Sequence, residues 1–145
     1  MNLNHYVYKP SRENLVTMTR KCKIQLEYIV NCSPKVLFNR LSTPSGLAEW
    51  FADDVRLEGK EFTFIWKDSE EVAELSLFKE NKLVRFTWKE DDQTYFEFRI
   101  TQDELTGDVA LLVTDFGEED EKDEIISLWN NHIFLLRQVT GSTPA

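Results

Sequence analysis

The sequence predicts an α+β domain: a curved antiparallel sheet of about seven strands wrapped around a long C-terminal helix, with two short helices after the first strand. Three observations predict it. Apolar residues alternate at period two in one segment near the start and in several more between residues 55 and 113. Two proline-punctuated helical segments follow the first of these runs. An apolar stripe at helical spacing, introduced by a cluster of acids, ends the chain.

From Cys22 to Val30 the polar residues Lys23, Gln25 and Glu27 alternate with Ile24, Leu26, Tyr28 and Val30, the pattern of a half-buried strand. Ser33-Pro34 reads as an N-cap followed by proline in the first helical turn, with Val36, Leu37, Phe38 and Leu41 as the apolar face. Thr43-Pro44 repeats that signal and predicts a second short helix over about Pro44 to Phe51, so the pair forms a corner.

A short strand at Val55 to Leu57 opens the meander. Phe62, Phe64 and Trp66 form its first inner row; Ala73, Leu75 and Leu77 the next; Val84, Phe86 and Trp88 the third. A two-residue turn at Glu80-Asn81 would pair Lys79 with Lys82 and set Leu77 against Val84, Leu75 against Phe86 and Ala73 against Trp88, keeping every apolar row on one face. Phe96, Phe98 and Ile100, then Val109, Leu111 and Val113, continue that face. The acids from Glu118 to Glu124 suit a helix N-terminus, and the helix runs towards Arg137 and Gly141 with Ile125, Ile126, Trp129, His132, Ile133 and Leu136 as its stripe.

The chain of 145 residues is long enough for one core without staples and carries a net charge of -9, which works against phosphate backbones and anionic membranes. Nucleic acid is therefore not an expected partner. No apolar run has the length of a membrane span, and no apolar h-region marks a signal peptide, so a cytoplasmic location is expected. Cys22 and Cys32, too far apart on one extended segment to bond, fit a reducing compartment as free thiols. Residues 1–21 carry Lys9, Arg12, Arg20 and Lys21 against the single acid Glu13 and show no sustained periodicity. They are expected to be a mobile N-terminal extension, with the folded domain spanning 22–141.

The run Ser42-Thr43-Pro44-Ser45-Gly46-Leu47-Ala48-Glu49-Trp50-Phe51 is similar to the Thr-x-Pro-x-x-Leu-x-x-Trp-Phe signature of the START-like subfamily homologous to the heat-shock protein 90 ATPase activator. The closing Leu128-Trp129-Asn130-Asn131-His132-Ile133 to Leu136 resembles that subfamily's terminal helix. With the order of elements, these words make residues Lys23 to Val139 resemble the START-like superfamily, also called SRPBCC or birch-pollen-allergen-like, with its helix-grip fold. The resemblance is to the compact Bacteroidetes members in particular. It implies a cavity between sheet and long helix, used by different relatives for lipids, polyketides, plant hormones or client-protein contacts. Cyclase and hydrolase relatives place polar groups in that cavity, whereas the inner rows here are almost wholly apolar.

The residues expected to line such a cavity are Trp50, Phe51, Phe64, Trp66, Leu75, Phe86, Trp88, Phe98, Trp129 and Ile133. Large rings also fill a small core by themselves, and Trp50-Phe51 can serve as a gate or as a staple for the helix corner. His132 lacks a partner placed by any motif and reads as structural. Asp115-Phe116-Gly117 matches a kinase magnesium motif in letters alone, without its companion motifs. The acid cluster lacks the alternation and central glycine of a calcium loop, and no Cys/His spacing suits a metal. The expected function is non-enzymatic binding of a hydrophobic small molecule, lipid-like or aromatic, with no catalytic residues, metal or cofactor. A protein-interaction or co-chaperone-like module without a working pocket is the alternative, and a cyclase-like enzyme the third reading. The chain is expected to be a monomer or a homodimer.

Overall fold

A computed structural model describes residues 21–142. The expected extension falls outside the described residues except for Lys21, which begins the first strand. The elements run β1 (Lys21–Ile29), α1 (Pro34–Ser42), α2 (Pro44–Leu47), β2 (Asp54–Glu58), β3 (Glu61–Trp66), β4 (Ser69–Lys79), β5 (Leu83–Trp88), β6 (Tyr95–Gln102), β7 (Val109–Glu118) and α3 (Lys122–Thr140). The seven strands make one antiparallel sheet in the order β1-β7-β6-β5-β4-β3-β2, so only β1 closes the sheet out of sequence order. Among the described residues no helix is long and apolar enough to cross a membrane.

The corner forms as its punctuation dictates. Ser33 Oγ accepts from Val36 N at 3.1 Å and Thr43 Oγ1 from Gly46 N at 3.0 Å, so each short helix has a side-chain cap ahead of its proline. Gly46 is required where the two helices meet, because a Cβ there would strike Asn39 O and Arg40 Cα. Two expectations need correction. The second helix ends at Leu47 rather than Phe51: the amides of Phe51 and Ala52 both turn back to Leu47 O, and Trp50-Phe51 lies in that turn. Val36 is 45% exposed, so the buried face of α1 is Leu37, Phe38 and Leu41.

The meander keeps its expected inner face with one local change. Leu75 faces Phe86 and Ala73 faces Trp88 as predicted, but Lys79 pairs with Leu83 and Phe78 with Val84. The connection is thus three residues, Glu80-Asn81-Lys82, with Asn81 at φ 62. Asparagine tolerates that left-handed backbone better than most side chains. The odd residue it adds is absorbed by a bulge between Leu75 and Leu77, which restores the register beyond. Leu77 therefore stands opposite Arg85, outside the inner row, and Phe78 takes its place on the side of Val84.

Helix α3 crosses the inner face. Glu118 N donates to Glu121 Oε1 at 2.9 Å in a capping box, a 3-10 turn over Glu119–Glu121 leads in, and the acids Asp123 and Glu124 sit in the first turn. Its buried stripe is Ile125, Leu128, Trp129, His132, Ile133 and Leu136. Leu128 joins the expected set, while Ile126 is only half-buried. At the far end Arg137 donates through Nε and Nη2 to Ile29 O at 3.0 and 2.8 Å, and Asn31 N donates to Ser142 Oγ at 2.6 Å, which fastens the helix to the end of β1. Gly117 makes the opposite end possible: a Cβ there would collide with Ile125 Cδ1, so glycine lets the helix start lie directly on β7.

Candidate functional site

The residues expected to line a cavity converge beneath α3. Trp50 and Phe51 come from the corner, Phe64 and Trp66 from β3, Leu75 from β4, Phe86 and Trp88 from β5, Phe98 from β6, and Trp129 and Ile133 from α3. All are buried except Leu75, which is half-buried and packs against the cluster. Phe51 is the hub: its ring lies 5.1 Å from Phe96, 5.2 Å from Phe64, 5.6 Å from Trp66 and 5.8 Å from Trp129, stacked on Phe96 and Trp129 and edge-on to the other two. Phe86 stacks on Phe96 at 4.9 Å, and Phe98 meets Trp50 at 5.5 Å and Trp129 at 5.8 Å. These are the separations of rings in direct contact. Phe96, which belongs to the same inner row, is as central as the ten.

The indole donors tie the corner to the sheet. Trp50 Nε1 donates to Arg40 O at 2.8 Å and Trp66 Nε1 to Phe51 O at 3.0 Å, so the Trp50-Phe51 turn is held from both sides as a staple.

Asp115 and His132 are buried among these rings, and Glu71, opposite Phe64, is buried on the same face of the sheet. Asp115 lies on the inner face of β7 opposite Ile24; its Oδ2 accepts from Trp129 Nε1 at 2.9 Å and its Oδ1 from Phe116 N at 2.8 Å. Burial pushes the carboxyl up to about 7, against the two hydrogen bonds, while the nearby Glu121 adds to the rise. His132 Nδ1 lies 3.3 Å from Trp50 O, and its Nε2 is buried with no hydrogen-bond partner among the described residues. Burial pushes the imidazole down to about 4, so it is neutral at physiological pH. Apart from that bond to the chain, its surroundings are the rings of Trp50, Phe51 and Trp129 at 5.7 to 6.3 Å.

The parity that placed Val109, Leu111 and Val113 inward also places Asp115 inward, and this was the available sign of its role. The three letters resembling a kinase motif are structural here. Asp115 bonds to Trp129, Phe116 packs edge-on to Tyr95 at 4.8 Å outside, and Gly117 receives Ile125. Glu74 and Arg99 are exposed, and the Tyr28 hydroxyl donates to Asn130 Oδ1 at 2.7 Å. Among the described residues no three His, Cys, Asp or Glu side chains gather as a metal site requires. Both cysteines are free.

Open volume lies beside the ring cluster. A groove of about 540 Å³ runs between α1 and the β4–β5 turn, lined by Lys35, Val36, Phe38, Asn39, Arg40, Ser42, Phe78, Glu80 and Asn81. Phe78 is 52% exposed, and its ring stands edge-on to Phe38 at 5.4 Å. The bulge in β4 puts Phe78 there, on the same face as Val84 and against Phe38 of α1. Periodicity placed Phe78 on the other face because nothing in the sequence marks the bulge.

A curved antiparallel sheet gripping a C-terminal helix, with a helical corner after the first strand and a ring-filled interface, defines a helix-grip domain. The family model for the START-like superfamily domain matches residues 18–142, and the chain belongs to that superfamily. Protein BfR322 from Bacteroides fragilis is 37% identical over 87% of this chain and 95% of its own, with a TM-score of 0.62. The Aha1 dimer from Colwellia psychrerythraea matches at 17% identity over 82% of this chain and 96% of that one, with a TM-score of 0.71. DynU16, from the dynemicin biosynthetic locus, matches at 14% identity over 83% of this chain and 48% of its own, with a TM-score of 0.67. At such identities the last two show the fold alone. None of the curated proteins compared matches this chain.

Proposed function

We propose that this chain is a non-enzymatic START-like module that binds a hydrophobic small molecule on the concave side of its sheet. The observation that carries the reading is the open groove floored by Phe38, Val36 and Phe78, which continues the apolar inner face past the edge of the core. Its volume falls within the several hundred Å³ usual for small-molecule sites. A guest in the groove displaces nothing. A guest in the interior beneath α3, among Trp50, Phe51, Phe64, Trp66, Leu75, Phe86, Trp88, Phe98, Trp129 and Ile133, must first part rings already in contact. Asp115 and His132 lack the exposed position and substrate-facing partner that acid–base catalysis requires, which supports the non-enzymatic reading over a cyclase-like one.

Native mass spectrometry after mild purification, with thermal shifts against a library of lipids and aromatic compounds, tests the reading. A bound guest at 100 times its dissociation constant should add about 2.7 kcal/mol of stability. Chemical-shift mapping then separates the groove from the ring cluster. A chain that purifies empty and gains no stability from any member of the library overturns it.

The second reading is a protein-interaction module. Its support is the exposed pair Phe134 and Leu135, adjacent on the solvent side of α3. Pull-downs at low and moderate salt, with light scattering over a concentration series, test it. A strictly monomeric chain with no partner at either salt removes it.

A further inference from the structure

We propose that the groove between α1 and the β4–β5 turn is a site for a small aromatic carboxylate, its ring lying on Phe78 and its carboxylate held by Lys35 and Arg40. The inference rests on the reading of the chain as a small-molecule binder and names the ligand that the groove selects. The apolar part is a corner built from two elements: Phe38 from α1 meets Phe78 edge-on, and Val36 lies exposed beside them. A flat ring placed against the open face of Phe78 gains the stacked or edge-to-face contacts that aromatic pairs favour. β-bulges are over-represented beside functional sites, where they re-aim a side chain. Here the bulge turns Phe78 from the outer face into the groove.

The charges are arranged by wall. Lys35 and Arg40, the two cations of the groove, both stand on α1. Glu80 stands on the opposing turn, and Arg40 Nε is also 3.0 Å from Glu49 Oε2, a pair that holds the guanidinium beside the groove. A ligand with one carboxylate is drawn to the α1 wall and repelled from the turn, which fixes which way round the ring lies. A cationic ligand meets the reverse arrangement and must point at Glu80, away from the floor shared by Phe38 and Val36.

The test titrates 3-phenylpropionate, 3-phenylpropanol and 3-phenylpropylamine into the isotope-labelled chain. The amides of Val36, Asn39 and Phe78 to Asn81 are followed. All three should move these amides if the groove binds, with the carboxylate about threefold to fivefold tighter than the alcohol, the scale of an exposed charge pair. Lys35→Gln should reduce that preference, and Lys35→Gln combined with Arg40→Gln should erase it, while both leave the alcohol unchanged. Phe78→Ser, at a half-exposed position, should weaken all three. Equal affinity for carboxylate and alcohol, or a preference that survives both substitutions together, overturns the assignment of the carboxylate but leaves small-molecule binding standing. No movement with any probe overturns the site itself, and thermal shifts against the wider library then decide separately whether the chain binds small molecules.

Discussion

Trp129 donates its indole N–H to Oδ2 of Asp115 at 2.9 Å, joining the middle of α3 to the inner face of β7 through a buried carboxyl. The bond satisfies the one polar atom of the indole and one oxygen of the acid in the same contact, while Phe116 N satisfies the other oxygen. Set among rings and aliphatic chains, it fixes the position of the helix along the strand.

The carboxyl makes stability depend on pH. Its folded value is raised from 3.8 to about 7, so the unfolded chain gives up the proton first. The stabilising contribution is complete below about pH 4 and is lost as pH rises to about 7. Asp115→Asn keeps an acceptor for Trp129 and removes the ionisation. Urea unfolding from pH 4 to 8 should show the wild type losing ground to the variant across that window, by at most about 4 kcal/mol. A difference that does not vary with pH would reject a buried neutral acid.

His132 acts with the opposite sign. Its folded value is lowered from 6.5 to about 4, so its contribution is present above pH 6.5 and is lost as pH falls towards 4. His132→Gln should flatten that acid limb. The slopes from Asp115 and His132 oppose one another between about pH 4 and 6.5, and the double variant should differ from each single one in that interval. Guanidinium midpoints measured at half-unit steps in pH resolve the two limbs.

Phe51 is fully buried and stacks on both Phe96 and Trp129, so Phe51→Ala removes contacts to the corner, the sheet and the helix together. The expected cost is about 3–5 kcal/mol by denaturant unfolding. Truncation of the half-exposed Phe78 should cost far less, within about 1 kcal/mol. Similar losses at the two positions would contradict the placement of Phe51 as the hub.

Gly117→Ala should destabilise by about 1–3 kcal/mol, because the added methyl meets Ile125 Cδ1. Ile125→Ala opens that space. The double variant should therefore be more stable than the sum of the two single losses, and strict additivity would show that the helix start does not rest on Gly117.

Much of this architecture was legible because local chemistry and tertiary packing agree. Ser33-Pro34 and Thr43-Pro44 start helices by capping, which needs no distant partner. The inner rows from Phe62 to Val113 follow from period two and from turn parity. The errors lie where tertiary contacts decide. Trp50 and Phe51 look helical, but Trp66 holds the carbonyl of Phe51 and the chain turns early. Ser76-Leu77-Phe78 reads as simple alternation, and only the pairing with β5 reveals the bulge that places Phe78 in the groove. Asp115 is not legible in the sequence, because an acid inside an apolar row looks like an exception and its partner Trp129 comes from a different element.

The β4–β5 hairpin contains two half-steps that cancel: a connection one residue longer than the shortest, and one unpaired residue further down the strand. The same stretch of chain admits a second closure, with a two-residue turn that pairs Lys79 with Lys82 and leaves no residue over. Leu75 faces Phe86 and Ala73 faces Trp88 in both closures, so the choice concerns only the tip of the hairpin. In the second closure the ring at position 78 points to the opposite side, and the corner beside Phe38 is left vacant.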